Sequence, residues 1–258
     1  MLKLPAGVVV LPDPAAVTRR AAQEMVHVAQ QCVAQLGTFI VALSGGSTPK
    51  AMYELLTKDE ELHVGMPWWQ THWFWSDERH VALDSPDSNY RMANEAMLSK
   101  SPTPAANIHR VAVELQDPVE TARLYEAEIR GTFSQLGRSV EPVPSFDLLL
   151  LGMGVDGHTA SLFPGSPALE DSTHVFSANP VEKLGAFRFT VTPATVQSAE
   201  RVMLLVCGAD KADTLHQVLR GPFNPRQLPT QLATRRTGST IWLLDAAAAV
   251  HLLEVEPA

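Results

Sequence analysis

The sequence predicts an α/β fold, a doubly wound and mostly parallel Rossmann-like sheet with helices on both faces, in a single domain over residues 1–258. Three observations lead to this fold class. Apolar runs of strand length alternate with helical patterns, the runs are apolar at nearly every position, and no long linker or charge block divides the chain. Strands that are apolar throughout are buried on both faces, which is typical of a parallel sheet between two helix layers.

The first three elements establish the alternation. The runs GVVVL (7–11) and FIVALS (39–44) are predicted strands. Between them, apolar residues recur at spacings of three and four and form one apolar helix face. These residues are Val17, Ala21, Met25, Val28, Cys32 and Leu36.

The remaining elements continue this pattern. Further strands are predicted at HWFWSD (72–77), FDLLLLG (146–152), FRFTVT (187–192), VMLLVCG (202–208) and TIWLLD (240–245), and further helices at about 49–58, 89–99, 118–137 and 209–220. Trp73 and Trp75 lie at strand period and are interpreted as core residues, not as a stacking platform. Ligands of such sheets bind beyond the carboxyl ends of the strands, so the residues that follow each strand are the candidates for function.

Composition and charge narrow the classes of function. Hydrophobic residues make up 45% and charged residues 19% of the chain, which predicts an ordinary globular protein with a sizeable core. The net charge of -8 argues against nucleic acid as a partner, because neutralising a phosphate backbone needs a broad positive surface. A small anionic substrate is compatible with this charge, since it needs only a few basic side chains in one pocket.

The sequence gives no sign of a membrane or a secreted context. Pro5, Pro12 and Pro14 interrupt the N-terminal apolar segment, and no apolar run approaches the ~18 residues of a membrane span, so a cytoplasmic location is the expectation. Cys32 and Cys207 lie far apart in the sequence. They are expected to be small buried hydrophobes in a reducing compartment, without a redox or metal role.

The turn after FIVALS is a candidate anion site. In SGGSTPK (44–50), Gly45 and Gly46 permit backbone angles closed to other residues, and Ser47 or Thr48 can cap the helix that follows. Free N–H groups of such a turn and of a helix N-terminus bind anions, although the Walker A spacing is absent. A strand-to-helix turn that caps itself explains the segment equally well.

Charged side chains follow the run HWFWS. Asp77, Glu78 and Arg79 place two carboxylates and a guanidinium at the rim of the sheet, and an arginine can hold a phosphate with two parallel hydrogen bonds. A solvated ion pair followed by a helix cap at 87–89 explains the same residues. Without other information, this second interpretation is favoured.

The stretch GMGVDGHTASLFPG (152–165) follows the run FDLLLL. Its glycines match the G-x-G-x-x-G spelling of a dinucleotide-binding turn, but that turn must lead into a helix, and Pro164 and Pro167 leave room for at most two helical turns. A dinucleotide site is therefore rejected. Asp156 and His158 remain, as a carboxylate and an imidazole that can act as a general base near neutral pH. A histidine that caps a short helix is the alternative.

Basic residues flank two later strands. Lys183 and Arg188 lie in EKLGAFRFT, and Lys211 lies in CGADKADTL. Lys211 begins a predicted helix, where the helix dipole favours an anion, so this lysine either binds a phosphate or points into water. Zinc-binding spacings and a G-x-S-x-G elbow are both absent from the sequence, which leaves a metal site and an acyl-enzyme serine mechanism without support.

Taken together, these strand ends resemble one family, the 6-phosphogluconolactonases, within the larger group that includes the glucosamine-6-phosphate deaminases. The matching segments occur in the same order along nearly the whole chain. They are VALSGGSTPKAMYELL, FWSDERHVALDSPDSNYRMANEAML, FDLLLLGMGVDGHTASLFPGSPAL, EKLGAFRFTVTPATVQSAERVMLLVCGADKADTL and PTQLATRRTGSTIWLLDAAAA.

The resemblance implies hydrolysis of the δ-lactone of 6-phosphogluconate, in the oxidative pentose phosphate pathway, with no metal and no organic cofactor. It implies that His158 draws a proton from the attacking water, that Asp156 orients or tunes His158, and that Asp77 lies on the facing strand end. Which carboxylate assists His158 is left open. The implied partner is a small phosphorylated sugar lactone, and its implied binding residues are Ser44, Gly45, Gly46, Ser47, Thr48, Arg79, Arg188, Lys211 and Lys183. Lys183 departs from the family pattern, because Leu184 stands where the family usually has a proline.

Two other functions are compatible with parts of this pattern. The related deaminases carry a glutamate five residues beyond the histidine, where this chain has Phe163, and an apolar ring cannot shuttle a proton. A non-catalytic sugar-phosphate sensor would keep the phosphate cradle and lose the base, whereas Asp156 and His158 are both present. The sequence leaves the oligomeric state open between a monomer and a small homo-oligomer.

Overall fold

A computed structural model describes residues 4–234, 236 and 238–253. Residues 1–3 and 254–258 of the predicted domain lie outside the described residues, as do Arg235 and Thr237 of the C-terminal matching segment. The strands are β1 Val8–Leu11, β2 Phe39–Leu43, β3 Thr71–Trp75, β4 Asp77–Arg79, β5 Leu148–Gly152, β6 Phe176–Val181, β7 Ala186–Val191, β8 Arg201–Val206 and β9 Ser239–Asp245. The α-helices are α1 Pro14–Leu36, α2 Ser47–Lys58, α3 Glu60–Gly65, α4 Asn89–Ala96, α5 Pro118–Gln135, α6 Pro193–Ser198, α7 Ala212–Arg220 and α8 Val250–Leu253.

Six parallel strands form the central sheet, in the order β1-β9-β8-β5-β2-β3. Every residue of β2 is fully buried, and successive side chains enter opposite layers of the core, with Ile40 on one side and Phe39 and Val41 on the other. Helices α1 to α4 cover one face, while α5 to α8 cover the other. The predicted α/β class with helices on both faces is confirmed.

Helix α1 shows how local sequence fixes an element. Asp13 precedes it and accepts a hydrogen bond from the backbone N–H of Ala16, and Pro14 occupies the first turn, where its missing N–H has no cost. Gly37 ends the helix with φ of 79°, a left-handed conformation that glycine adopts without steric penalty. Five of the six residues of the predicted apolar face are buried in the core, but Leu36, in the last turn, is exposed.

The structure contains a second sheet, which is antiparallel, and one predicted strand is divided between the two sheets. The predicted strand HWFWSD divides at Ser76, where β3 stays in the central sheet and β4 leaves to pair antiparallel with β7, which in turn pairs with β6. Ser76 is fully buried at this division, and its N–H and hydroxyl both donate to the carbonyl of Leu43. The run 187–192 therefore belongs to a small antiparallel sheet and not to the central one.

Other differences concern short elements. Strand β6 was not predicted, because Pro180 and Asn179 interrupt its apolar pattern; a proline is tolerated there since β6 is an edge strand. The predicted helix 209–220 begins as a 3-10 turn at Ala209–Lys211, and the end of the predicted helix 89–99 is likewise a 3-10 turn. Helices α3, α6 and α8 are too short to give a periodic signal.

The order of the strands locates the functional edge of the sheet. From β2 the chain proceeds outward to β3, and from β5 it proceeds in the opposite direction to β8 and β9. The order reverses between β2 and β5, so the segments after these two strands border a crevice at the carboxyl edge. The glycine turn after β2 and the stretch with His158 after β5 are these segments.

The cysteines agree only in part with expectation. Cys32 is buried, as predicted, but Cys207 at the carboxyl end of β8 is only partly buried. Burial raises the pKa of each thiol to about 11, so both are protonated at neutral pH. Among the described residues, no helix combines the length and the apolar character that a membrane span requires.

Candidate active site

A cleft of about 280 Å³ opens at the carboxyl edge of the sheet, where the strand order reverses. It is lined by the turn after β2, the rim of β4, the segment after β5 and the turn before α7. The lining residues are Ser44, Gly45, Gly46, Asp77, Arg79, Gly152, Met153, Gly154, His158, Ala160 and Lys211. The structure therefore brings most of the predicted site residues into one cleft.

The turn after β2 presents backbone donors to this cleft. Gly46 precedes α2 with φ of 107°, and the expected cap by Ser47 or Thr48 is wrong, since both residues lie inside the first turn and no side chain caps the helix. Within the described part of the chain, the N–H groups of Ser47 and Thr48 donate to no acceptor. Tyr53 anchors the start of the turn, because its hydroxyl accepts a hydrogen bond from the N–H of Ser44 and donates one to the Ser44 carbonyl.

Two arginines face each other across the second sheet. Arg79 on β4 and Arg188 on β7 are direct antiparallel partners, and neither forms an ion pair with a carboxylate of the described residues. The Arg79 guanidinium donates to the carbonyl of Asp87 at 2.6 Å. Burial and the charge of Arg79 lower the pKa of Arg188. Because like charges in direct cross-strand contact are destabilising, the pair is suited to hold an anion.

Lys211 joins Arg79 in the lining of the cleft. It lies in the 3-10 turn before α7, its side chain is largely buried, and its Nζ lies 3.4 Å from the carboxylate of Asp210. The structure places Lys211 at the cleft, and its binding of a phosphate stays a prediction.

The two carboxylates after β3 have separate structural roles. Glu78 accepts hydrogen bonds from the backbone N–H groups of Asn89 and Tyr90 at the start of α4, so it acts as a helix cap. Burial raises its pKa, although those hydrogen bonds oppose the rise. Asp77 accepts from the hydroxyl of Ser161 at 2.8 Å and from the side-chain amide of Asn89 at 3.2 Å. Asp77 therefore lines the cleft without a hydrogen bond to the histidine.

The partner of His158 is Asp156. The Nδ1 atom of His158 lies 2.5 Å from Oδ1 of Asp156, and the same carboxylate receives Nζ of Lys183 at 2.5 Å on Oδ2. Burial alone would raise the pKa of Asp156, but the hydrogen bonds from Lys183 and His158 outweigh it and lower this pKa to about 2. With Nδ1 engaged by a carboxylate, Nε2 is the ring nitrogen that can accept a proton.

The backbone of the segment after β5 is shaped for this pair. Gly157 adopts φ of 79°, the N–H of Gly154 donates to the carbonyl of His158, and no helix follows Gly157 before Pro164. The rejection of a dinucleotide turn is consistent with this geometry, and His158 caps no helix. A Cβ atom at Gly154 would lie 2.0 Å from Nδ1 of His158, so only glycine leaves room for the ring.

Phe163 and Lys183 complete the surroundings of the histidine. The Phe163 ring packs against the His158 ring with centroids 4.5 Å apart, and Nζ of Lys183 lies 4.6 Å from the centre of the Phe163 ring. Lys183 was expected among the phosphate-binding residues. The structure places it outside the cleft lining and against Asp156 instead.

Several supporting residues were not found from the sequence. Fully buried Thr230 donates its hydroxyl to the carbonyls of Gly157 and His158, at 2.8 and 3.1 Å. Asn89 and Ser161 orient Asp77. Threonine, asparagine and serine in loops show no distinctive spacing. The one sequence feature that pointed to Thr230 is its place in the matching segment PTQLATRRT. Within the described residues, His, Cys, Asp and Glu side chains form no cluster suited to a metal ion.

Comparison with known proteins identifies the family. The sequence profile described as glucosamine-6-phosphate isomerases/6-phosphogluconolactonase matches residues 12–242, which is most of the chain. The chain belongs to this family. Within it, a 6-phosphogluconolactonase of Synechocystis sp. is 40% identical over 222 residues, covering 86% of this chain and 88% of the relative. A 6-phosphogluconolactonase of Nostoc sp. is 37% identical over 243 residues, covering 94% and 97%.

A solved member of the family has the same architecture. The 6-phosphogluconolactonase from Trypanosoma cruzi is 29% identical, covers 98% of each chain and has a TM-score of 0.82. The resemblance that the strand ends indicated is thereby confirmed.

Proposed function

We propose that this chain hydrolyses 6-phospho-D-glucono-1,5-lactone to 6-phospho-D-gluconate, the lactone-opening step of the oxidative pentose phosphate pathway, with His158 as the general base. The single observation that carries the mechanism is the His158–Asp156 pair at the edge of a cleft that is lined elsewhere by cations and backbone donors. Curated 6-phosphogluconolactonases similar over most of both chains support the activity.

The proposed reaction needs one group that moves a proton. Nε2 of His158 takes a proton from water as its oxygen attacks the lactone carbonyl, and the resulting imidazolium is stabilised by the carboxylate of Asp156. When the tetrahedral intermediate collapses, the bond from the carbonyl carbon to the ring oxygen breaks. The imidazolium then returns its proton to that oxygen, so the free hydroxyl and carboxylic acid form and the base is regenerated. A positioned base contributes roughly 100- to 10,000-fold to such a step.

The phosphate is assigned to the opposite side of the cleft. We place it on the turn Ser44–Thr48, where, among the described residues, the N–H groups of Ser47 and Thr48 are free donors, and on Arg79, Arg188 and Lys211. Arg79 and Lys211 line the cleft, and Arg188 is the cross-strand partner of Arg79. Asp77 is assigned no contact with His158, because its oxygens already accept from Ser161 and Asn89. Phosphate binding of this kind is equal in the ground and transition states, so it determines KM more than kcat.

Phe163 argues against deaminase activity in this chain. The ring lies against His158 at the place where the related deaminases carry a glutamate, and it offers no group that can exchange a proton during ring opening. A non-catalytic sensor is likewise disfavoured, because it would have no need for the aligned His158–Asp156 pair.

The activity is tested by acid release from freshly prepared 6-phosphogluconolactone, measured against spontaneous hydrolysis, with ammonia release from glucosamine 6-phosphate in parallel. The first should respond to the protein and the second should not. His158→Ala should lower kcat by about 100- to 10,000-fold with KM largely unchanged. His27→Ala, on the exposed face of α1, is the matched control and should keep full turnover. Near wild-type turnover in His158→Ala would remove this histidine from the mechanism.

A further inference from the structure

The hairpin of β6 and β7 carries a lysine that contacts the catalytic pair. Lys183 lies in the 3-10 turn Glu182–Leu184 that joins these two strands, and its Nζ lies 2.5 Å from Oδ2 of Asp156. The other oxygen of the same carboxylate lies 2.5 Å from Nδ1 of His158. One carboxylate therefore joins the hairpin to the proposed general base.

The hairpin tip spans a second cavity. Residues 182–185 are exposed, and a cavity of about 610 Å³ lies between the tip and the loop 163–167. The ion pair of Lys183 with Asp156 and the contact of its ammonium with the Phe163 ring bridge this gap. These two contacts hold the tip against the active site, because the cavity beneath it provides no packed surface.

The same hairpin carries one of the phosphate arginines. Arg188 follows Lys183 by five residues on β7 and faces Arg79 on β4. The two guanidinium groups repel each other, and a phosphate between them replaces this repulsion with attraction to both strands. Because β4 and β7 are already hydrogen-bonded neighbours, a bound phosphate would stabilise this existing pairing and thereby support the tip of the hairpin in its contact with Asp156.

We propose that Lys183 is a positioning residue that holds Asp156 in place for His158, and that a phosphate bound at Arg188 strengthens this contact through the hairpin. The inference rests on the proposed lactone hydrolysis. Lys183 also shares the carboxylate with the imidazole, so it limits the stabilisation that Asp156 gives to protonated His158. Asp156 is therefore held most firmly when the substrate carries a phosphate.

The positioning role is tested with Lys183→Met, using Lys183→Arg as the conservative variant and Lys58→Met on the surface of α2 as the charge-matched control. In Lys183→Met, we expect kcat to fall about 10-fold, equivalent to roughly 1.4 kcal/mol, with KM for the phosphorylated lactone unchanged. The acid limb of the pH profile of kcat/KM should move to higher pH, because the Asp156 carboxylate no longer shares its charge with an ammonium group and stabilises the imidazolium more strongly. Lys183→Arg should restore both values, and equal thermal unfolding midpoints exclude misfolding.

Two results would overturn the positioning role. A rise in KM with unchanged kcat would place Lys183 directly on the phosphate, and unchanged kcat, KM and pH profile would make it a surface lysine. If the wild-type chain itself fails to accelerate lactone hydrolysis, the proposed function fails before any statement about Lys183 is reached. The two failures are therefore distinguishable.

The coupling is tested with a substrate in two pieces, unphosphorylated D-glucono-1,5-lactone and inorganic phosphite. Phosphite should accelerate turnover of this lactone by the wild-type chain, and Lys183→Met should lose most of the acceleration while Lys58→Met keeps it. Arg188→Ala should also lose the response, because the phosphite then lacks its site on the hairpin. A wild-type chain active on the phosphorylated lactone but indifferent to phosphite, or a Lys183→Met chain that responds like wild type, would refute the coupling.

Discussion

Gly154→Ala tests whether the geometry of the segment after β5 is required for catalysis. A Cβ atom at this position would lie 2.0 Å from Nδ1 and 2.1 Å from Cε1 of His158, and 2.8 Å from Oδ1 of Asp156. All three distances are far below ordinary van der Waals contact. One added methyl group therefore falls between the members of the proposed catalytic pair and perturbs few other atoms.

The size of the effect follows from these distances. The ring nitrogen must retreat by about 1.4 Å to reach a 3.4 Å contact, and this displacement exceeds the tolerance of a hydrogen bond that is 2.5 Å long. A misplacement of about 1 Å in a catalytic group can cost on the order of 100-fold in rate. We expect Gly154→Ala to lower kcat about 100-fold, with a smaller effect on KM because the phosphate contacts lie elsewhere in the cleft.

The measurement is acid release from fresh lactone over a range of substrate concentrations. Gly131→Ala is the matched control, because a Cβ atom at this position on α5 meets no atom within 4 Å and alanine is the better helix former. The control should keep wild-type turnover. If Gly154→Ala folds and retains more than about half of the wild-type kcat, the active ring position differs from the one described, and the argument from proximity fails.

Three further predictions concern the site and its supports. Arg188→Ala should raise KM about 10- to 100-fold with little change in kcat, and an unchanged KM would move the phosphate elsewhere. Thr230→Val removes the hydroxyl that donates to the His158 carbonyl, so urea titration should show a loss of about 1 to 2 kcal/mol in unfolding free energy, together with reduced turnover; full stability would contradict this support role. Burial, followed by the charge of His109, lowers the pKa of His72 to about 4, so between pH 6.5 and about 4 the unfolded chain binds a proton that the folded chain does not. Acidification over this range should lower the melting temperature of the wild type more than that of His72→Gln, and equal slopes would count against the assignment.

The central sheet was predictable because its signal is local. In β2 and β5 every position is apolar, so the sequence itself records burial on both faces, and the helix period of α1 is equally visible. The division of HWFWSD at Ser76 left no such trace. The charged strand β4 follows β3 after the single residue Ser76, and its change of sheet depends on the antiparallel partner β7, more than a hundred residues away.

The site was predictable to the extent that strand ends converge. Parallel strands bring their carboxyl ends to one edge, so the sequence alone predicts that the turn after β2 and His158 after β5 lie near each other. The contact of Lys183 with Asp156 was not predictable in this way. The two residues are 27 positions apart in the sequence, and the pairing of β6 with β7 determines where Lys183 lies. The sequence contains no signal for the edge strand β6, which forms one side of this hairpin.

The charge distribution of the site links affinity to stability. In a chain of net charge -8, a typical surface arginine has an acidic partner, as Arg123 has in Glu120 at 2.7 Å. Arg79 and Arg188 face each other instead, without a carboxylate ion pair in the part of the chain that the structure describes. Their repulsion destabilises the folded state until an anion arrives, and an anion that binds only the folded state stabilises it by mass action. Affinity for the phosphate and the stabilisation of the β4–β7 pairing by a bound anion therefore have the same physical origin, which is why a change at Lys183 should have its largest effect when a phosphate or phosphite is bound.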